Sequence, residues 1–210
     1  FRFLNEIDQL DQIGWNGPQK GKLWRYNQHY FDDLNAIESK GRKDWHLSLL
    51  ADWVAENPVG KGVGWESYPT SIRIVNWIKW ALNGNSIPRD CLVSLLIQAR
   101  WLRGRLEVHL QGNHLFVNAK ALIFAGLFFD GPEASRWLDK GFAILAAQIP
   151  EQILSDGGHF ERSVMYQSLI LEDVLDIYNL CSTYKSELTQ NQTMLLDGWT
   201  QSVKTMIVWL

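Results

Sequence analysis

Apolar residues recur at helical spacing along most of the chain and are interrupted by turns that contain glycine, proline or asparagine. This pattern predicts about eight helices joined by short connections. No stretch shows the apolar–polar alternation and hairpin dipeptides of paired strands. We therefore expect an all-α fold, in which antiparallel helical hairpins form an incomplete α/α toroid. The predicted helices cover residues 23–37, 45–56, 71–82, 89–110, 111–129, 133–148, 163–185 and 188–210.

Two regions are expected along the chain. Residues 1–22 hold three glycines and one proline among scattered aromatic residues, which predicts an irregular lead-in with one short helix. Residues 23–210 are expected to form the α/α-toroid domain, truncated at its C-terminal end. The chain begins with Phe1 rather than Met and shows neither a signal peptide nor an apolar span long enough to cross a bilayer.

Composition narrows the classes of partner. The net charge of −3 gives no general attraction to nucleic acid or to an anionic membrane. The eleven Trp are unusual, because an indole has a flat face suited to sugar rings, although we expect most of them to pack between helices. Cys91 and Cys181 are too few and too far apart for a disulfide framework, and we expect both to be buried free thiols.

The first polar segment, residues 65–77, leads from a loop into a helix. Arg73 and Asn76 are three residues apart and share a helix face. A guanidinium beside aromatic rings suits a carboxylate or sulfate on a sugar. The alternative is a buried ion pair of Arg73 with Glu66. The candidate substrate-binding residues here are Trp65, Tyr68, Arg73, Asn76 and Trp77.

The second segment begins the very apolar helix of residues 111–129, where Asn113 and His114 lie side by side. Asn is a favourable N-cap residue, so on its own Asn113 would be a helix cap. Asn118 and Lys120, further along the same helix, are expected to face solvent.

The third segment, residues 155–169, brings His159, Glu161 and Arg162 to a helix start through a Gly-Gly loop, with Tyr166 one turn inside. A tyrosine hydroxyl is a poor base in water, but a neighbouring Arg or His cation favours its phenolate. The alternative is that Tyr166 is a core aromatic residue and that the other three brace the loop.

Other chemistries have less support. The five His are scattered without ligand spacing, so we expect no metal, and no phosphate loop or nucleophile motif indicates a cofactor. A pair of glycosidase carboxylates remains open, because Asp156, Glu161, Glu172 and Asp173 offer candidates and none stands out by spacing.

Four ordered motifs resemble the N-terminal helical domain of the heparinase II/III family. They are LWRYNQHYFDDL from Leu23, GWESYPTSIRIVNWIKW from Gly64, GNHLFVNAKALIFAGLFF from Gly112 and PEQILSDGGHFERSVMYQSLILEDVLDIYNL from Pro150. The resemblance implies an α/α toroid followed by a β-sandwich domain, which this chain lacks. It also implies a polysaccharide lyase that cleaves an acidic, uronic-acid-containing polysaccharide by β-elimination, and a periplasmic or secreted bacterial protein.

The resemblance assigns catalytic roles to three residues. Asn113 would neutralise the uronate carboxylate, His114 would act as a base or a positioning group, and Tyr166 would be the base, the acid or both. The loop residues His159, Glu161 and Arg162 join the substrate-binding candidates.

This sequence departs from the family pattern Ser-Pro-x-Tyr-His around the tyrosine. Val164 and Gln167 replace the proline and the histidine of this pattern, so activation of Tyr166 is expected to be weaker. Because a further family histidine comes from the β-sandwich domain, the fragment alone is expected to be inactive. A non-catalytic carbohydrate-binding or structural helical domain is therefore the alternative, and a toroid glycoside hydrolase is a third possibility.

Overall fold

Helices form nearly all of the regular structure in the computed structural model, which describes residues 1–110 and 112–210. Gln111, where the fifth predicted helix was placed to begin, lies outside the described residues. The α-helices, in chain order, are α1 Leu10–Ile13, α2 Lys22–Gln28, α3 Lys43–Glu56, α4 Ser67–Leu82, α5 Arg89–Arg103, α6 Asn113–Phe128, α7 Pro132–Gln152, α8 Val164–Thr183 and α9 Gln190–Trp209.

The strands in the described ranges are minimal. Strand β1 (Arg2–Phe3) pairs antiparallel with β2 (Glu6–Ile7), and a single isolated bridge joins Ile153 to His159. The expectation of an all-α chain is therefore confirmed. The chain divides into two compact units, Phe1–Arg105 and Leu106–Leu210. The lead-in and toroid boundaries inferred from the sequence stay predictions.

Two predicted helices are too long. Residues 23–37 were expected to form one helix, but α2 ends at Gln28 and a short 3₁₀ turn follows at Asp32–Asn35. Phe31 between them has φ of 64°, a left-handed conformation that interrupts a helix. The helix predicted to reach residue 110 ends at Arg103, where Gly104 follows. Conversely, α4 begins four residues earlier than its apolar pattern indicates.

The core of the first unit is aromatic. Phe31 stacks on Trp15 and packs edge-to-face with Trp53 and Trp77. His29 also stacks on Trp15. As expected, most Trp pack in the interior, since eight of the eleven are buried. The buried ones are Trp15, Trp24, Trp53, Trp65, Trp77, Trp80, Trp137 and Trp199.

The second unit is built on the close packing of α6 against α7. Gly126 of α6 lies where an added Cβ would approach the Leu138 backbone nitrogen to 2.7 Å. Gly141 of α7 faces the Ala119 carbonyl, at 2.9 Å from such a Cβ. The missing side chains let the two backbones approach closely. Helix α8 packs on α6, and α9 packs on α7 and α8.

Cys91 and Cys181 are both buried free thiols, as expected, and burial raises the pKa of each. Within the described part of the chain, no helix combines the length and apolar character needed to span a membrane.

Candidate active site

Helix α6 begins with Asn113 as its first helical residue, and the N-cap position belongs to Gly112. No side chain makes a capping hydrogen bond to this helix start. Gly112 has φ of 84°, a conformation that glycine adopts without the steric cost of a Cβ. Asn113 is therefore not the N-cap, which was the alternative to a catalytic role, and its side chain is half-buried at the helix mouth.

The loop before α8 holds His159 in the interior. Leu154 and Gly158 close the loop with a backbone hydrogen bond of 2.9 Å, and only 1% of the His159 surface is exposed. The His159 Nε2 lies 3.3 Å from Gln152 Oε1, and its ring centroid lies 6.1 Å from that of Tyr166. Burial lowers the pKa of His159, so this imidazole is neutral near pH 7.

Gln167 fixes the loop to the helices that follow. It is fully buried, and its Oε1 accepts a hydrogen bond of 2.7 Å from the His159 amide. Its Nε2 donates to the Gly157 carbonyl at 3.0 Å and to the Met206 carbonyl at 3.1 Å. One neutral amide thus pairs with the His159 N–H and with the carbonyls of Gly157 and Met206. The neighbouring Tyr166 is not needed for these contacts.

Gln152 and Glu161 join the α6 start to the same loop. Gln152 Nε2 donates to the Gly112 carbonyl at 2.9 Å, while its Oε1 faces His159. A Cβ on Gly112 would lie 2.8 Å from Glu161 Oε1, so this exposed carboxylate sits against the helix start. A negative charge is favourable there because the first helical amides point outward.

Glu107 is a site residue that sequence reasoning missed. Its carboxylate accepts a hydrogen bond from His114 Nδ1 at 3.1 Å and another from Asn118 Nδ2 at 3.1 Å. The Glu107 amide donates in return to Asn118 Oδ1 at 2.9 Å. A carboxylate on Nδ1 favours the His114 tautomer with its proton on that nitrogen. Glu107 belongs to no motif in the sequence. Only the fold shows that it contacts His114 and Asn118.

Asn118 and Lys120 do not face solvent, so that prediction is wrong. Asn118 is fully buried and Lys120 is 5% exposed. The Lys120 ammonium bridges two carboxylates of α8, Asp173 at 2.7 Å and Asp176 at 2.6 Å. Burial opposes its charge, but the two carboxylates outweigh burial and raise the pKa of Lys120.

These contacts also bear on the glycosidase alternative. Asp173 is engaged with Lys120, and Asp156 accepts a hydrogen bond of 2.9 Å from the Gly158 amide within its own turn. Two of the four candidate carboxylates are therefore committed to structural contacts.

The candidates of the first unit lie in its core rather than at an open surface. Arg73 is fully buried: its Nε donates to Gln98 Oε1 at 2.9 Å and its guanidinium lies 3.9 Å from the Trp53 ring centroid. Trp77 is fully buried and Trp65 is 3% exposed, with its indole N–H on the Asn57 carbonyl.

Asn76 and Tyr68 complete this group. Asn76 Nδ2 donates to the Tyr30 carbonyl at 2.9 Å and to Asp32 Oδ1 at 2.8 Å. Tyr68 is half-buried, with its ring edge-on to Tyr30. Four of these five candidates are buried in the first unit and Tyr68 is half-buried. A substrate contact by them stays a prediction, which burial does not favour for the four.

The alternative expectation, an ion pair of Arg73 with Glu66, is wrong, because the two residues have other partners. Glu66 accepts a hydrogen bond from the Tyr26 hydroxyl and pairs with Lys22 at 2.9 Å. Burial, reinforced by this carboxylate, raises the pKa of Tyr26 to about 12.

The second unit therefore brings the remaining candidates together around two helix starts. Asn113 and His114 open α6, and Tyr166 lies in the first turn of α8. Gln152 contacts the α6 N-cap and His159, and the His159 ring lies next to that of Tyr166. Exposed side chains of Glu161 and Arg162 border the same loop. In the described ranges, no three potential metal ligands form a cluster.

The helical hairpins of this chain have the α/α-toroid fold of the solved structures described below. The chain belongs to the heparinase II/III family: the family's N-terminal region, described as "Heparinase II/III N-terminus", matches residues 12–209. The recognition made from the four motifs is confirmed.

Two curated relatives are similar over most of this chain. A heparin-sulfate lyase of Bacteroides thetaiotaomicron is 32% identical over 208 residues, which is 93% of this chain and 27% of that protein. A heparin-sulfate lyase of Pedobacter heparinus is 24% identical over 182 residues, covering 81% of this chain and 27% of that protein. The chain thus spans about a quarter of the length of these relatives.

Solved structures of two such proteins share the fold. A heparinase III structure with methylated lysines aligns with a TM-score of 0.67 at 20% identity, over 99% of this chain and 37% of that one. A mutant heparan sulfate lyase from Pedobacter heparinus aligns with a TM-score of 0.63 at 23% identity, over 96% of this chain and 34% of that one.

Proposed function

We propose that this chain is the helical part of a polysaccharide lyase that cleaves a uronic-acid polysaccharide by β-elimination, with heparan sulfate as the first substrate to test. The observation that supports it most is the linkage of the α6 start to the Tyr166 loop through Gln152, His159 and Glu161. The relatives named heparin-sulfate lyases support the substrate class.

The proposed reaction removes the proton on C5 of the uronate and expels the oxygen on C4, leaving a C4–C5 double bond. The C5 proton is weakly acidic, so the negative charge that develops on the carboxylate needs a hydrogen-bond donor. Asn113, half-buried at the mouth of α6, supplies an amide donor close to outward-pointing backbone amides.

Tyr166 is the proposed proton-transfer group. Its side chain is half-buried, with the His159 ring next to it. Because His159 is neutral, it positions Tyr166 and does not lend it positive charge. His114, which is hydrogen-bonded to Glu107 through Nδ1, is the proposed second group, as a base or a positioning group for the uronate.

A second candidate function is a carbohydrate-binding or structural domain without turnover. The observation that favours it is Gln167, which stands at the position of a family histidine and whose amide is hydrogen-bonded to the loop and to the Met206 carbonyl of α9. Val164, where the family often has proline, is 65% exposed and makes no comparable contribution.

The test uses the complete natural polypeptide that carries residues 1–210, incubated with heparan sulfate and a panel of other uronate polymers. Elimination produces a 4,5-unsaturated uronate that absorbs in the ultraviolet. We expect Tyr166→Phe to reduce the rate at least about 100-fold, because it removes the proton-transfer group and little else. Tyr178→Phe, a half-buried tyrosine on the same helix, is the matched control.

Other outcomes separate the candidates. Undiminished elimination by Tyr166→Phe would reject the role of Tyr166. New reducing ends without ultraviolet absorbance would indicate a hydrolase. Binding of a polymer without any product, by a folded protein, would favour the non-catalytic domain.

A further inference from the structure

Helices α6 and α8, which carry the proposed catalytic residues at their starts, are joined further along by a buried ionic cluster. It consists of Lys120 of α6 and of Asp173 and Asp176 of α8. The Lys120 ammonium lies 2.7 Å from Asp173 Oδ1 and 2.6 Å from Asp176 Oδ2, and the three side chains are 7%, 14% and 18% exposed. The proposed elimination uses none of the three residues directly.

The spacing along both helices places the ionic cluster on the faces that carry the proposed catalytic residues. Lys120 follows Asn113 by seven residues, and Asp173 follows Tyr166 by seven residues. Seven residues make close to two helical turns, a rise of about 10 Å, so the members of each pair share a helix face. Because Lys120 contacts Asp173, the faces that carry Asn113 and Tyr166 lie opposite each other.

The two helices also begin at the same end of the second unit. Gln152, the last residue of α7, contacts the Gly112 carbonyl before α6 and the His159 ring before α8. Since α8 packs on α6, the two helices run in the same direction. The ionic cluster therefore sets how far α8 is shifted along α6, and with it the level of one helix start relative to the other.

An ionic cluster fixes such a shift more sharply than apolar side chains do. Buried ion pairs add little net stability compared with apolar residues of similar volume, and their best-attested use is to fix one register between helices. Apolar contacts have no direction, so they permit alternative registers. In the ionic cluster, two carboxylates three residues apart on one face of α8 hold a single ammonium.

We infer that Lys120 is a positioning residue for the elimination, because the ionic cluster holds the start of α6 in register with the start of α8. The inference rests on the proposed function, which gives Asn113 and Tyr166 their roles. Displacement of reacting groups by about 1 Å can lower a rate about 100-fold, so a small shift between the two helices is sufficient. Polymer binding, which is spread over many sugar units, should change little.

The test replaces the whole ionic cluster by apolar side chains, as Lys120→Met/Asp173→Leu/Asp176→Leu, in the complete polypeptide that carries residues 1–210. No member of the cluster is left unpaired in this apolar variant, so its stability should stay close to that of the parent. On the polymer that the parent cleaves, kcat should fall at least about 30-fold, while KM stays within about threefold. A crystal structure should show α8 shifted along α6 by about 1 Å or more.

Two further variants separate the register from the charge and from general effects of substitution. Asp176→Asn keeps the contact of Lys120 with Asp173 and makes the ionic cluster neutral overall. Its kcat should stay within about threefold of the parent, because the register is retained. Lys185→Met/Asp197→Leu removes an exposed ion pair of the same unit by the same kinds of substitution and should leave both kcat and the register unchanged.

A folded apolar variant with the kcat of the parent, or with α8 unshifted, would overturn the inference. An equal loss of kcat in Asp176→Asn would assign the effect to buried charge and would overturn it too. If the parent forms no unsaturated product from any polymer, the lyase proposal fails, and the crystal structures still decide whether the ionic cluster sets the register.

A measurement on the unmodified protein covers the case in which the apolar variant does not fold. NMR at pH 7 should detect the ammonium protons of Lys120, which two carboxylates hold away from water, but not those of Lys185, which is 55% exposed. Exchange of the Lys120 ammonium protons as fast as those of Lys185 would exclude fixed contacts and overturn the inference.

Discussion

Two helix starts with similar sequence signals have opposite surroundings. Residues 65–77, which follow the glycine-containing loop that ends at Gly64, and residues 155–169, which contain Gly157 and Gly158, each bring an arginine, an amide and aromatic residues to the beginning of a helix. In the first unit, Arg73 and Trp77 are fully buried, and Arg73 is hydrogen-bonded to Gln98 within the core. In the second unit, Tyr166 is half-buried, and Glu161 and Arg162 are exposed.

The difference lies in which groups satisfy the polar side chains. Arg73 binds Gln98, Thr70 and the His29 carbonyl, all from its own unit. In the second unit, the neutral side chain of Gln167 braces the loop, and Glu161 and Arg162 stay at the surface while His159 is buried. Arginine beside aromatic rings therefore indicates a binding groove only where the structure leaves the guanidinium accessible.

The largest effect is expected from removing the buried side chain of Arg73 in the first unit. Arg73→Ala should lower the free energy of unfolding of the first unit by about 3–5 kcal/mol, because it leaves a cavity and unpaired partners in the core. Urea denaturation monitored by tryptophan fluorescence measures this. Arg103→Ala, at an exposed position on α5, is the matched control. A stable Arg73→Ala protein with lost polysaccharide binding would restore Arg73 to the groove.

The second effect is a pH dependence of the first unit. Burial, reinforced by the Arg73 charge, lowers the pKa of His29 to about 3. Between pH 6.5 and 3, the unfolded chain binds a proton that the folded unit does not, so stability falls as pH falls. From pH 6.5 to 4.5, His29 alone should remove about 2–3 kcal/mol.

This contribution is isolated by comparing variants. His29→Gln should flatten the dependence of unfolding free energy on pH over that window, while His109→Gln, at an exposed position, should leave it as in the parent. An unchanged slope in His29→Gln would mean that His29 is already protonated in the folded protein.

The third effect concerns Gln167, which braces the loop before α8 in the second unit. Gln167→Leu should cost about 2 kcal/mol, because the His159 amide and two carbonyls lose their partner. Hydrogen exchange should accelerate in residues 157–162 and much less in α4. Gln201→Leu, at an exposed position on α9, is the control. Protection retained at the His159 amide would contradict this role.

The smallest expected effect sharpens the geometry of the α6 start. Gly112→Ala and Gly131→Ala both place a Cβ at an N-cap with positive φ, and each should cost about 1 kcal/mol. Only the Cβ at Gly112 meets Glu161, whereas that at Gly131 has no atom within 4 Å. NMR signals of the Glu161 side chain should shift in the first variant alone. Identical spectra around Glu161 would show that the carboxylate lies elsewhere.

The helical pattern could be predicted because each long helix carries an apolar stripe that the sequence displays directly. The break at Phe31 could not, since no glycine or proline marks it and tertiary packing of the Phe31 ring between Trp15 and Trp77 overrides local preference. The early start of α4 was hidden by Pro69, which a first helical turn tolerates.

Motifs concentrate the candidate chemistry at Asn113 and Tyr166, and the roles assigned to both residues stay predictions. Glu107 could not be predicted, because a lone glutamate in a bend carries no signal until the fold places it beside His114 and Asn118. Lys120 was misplaced for a similar reason: its partners Asp173 and Asp176 lie more than fifty residues away in sequence.

The hydrogen bond from Gln167 to the Met206 carbonyl has a practical consequence for dissecting this protein. It ties the loop beside Tyr166 to a backbone atom near the end of α9. A shortened version that stops before residue 206 would keep every proposed catalytic residue and still lose the anchor of that loop. Expression boundaries for the second unit should therefore be drawn beyond α9, and inactivity of a shorter piece would say nothing about Tyr166.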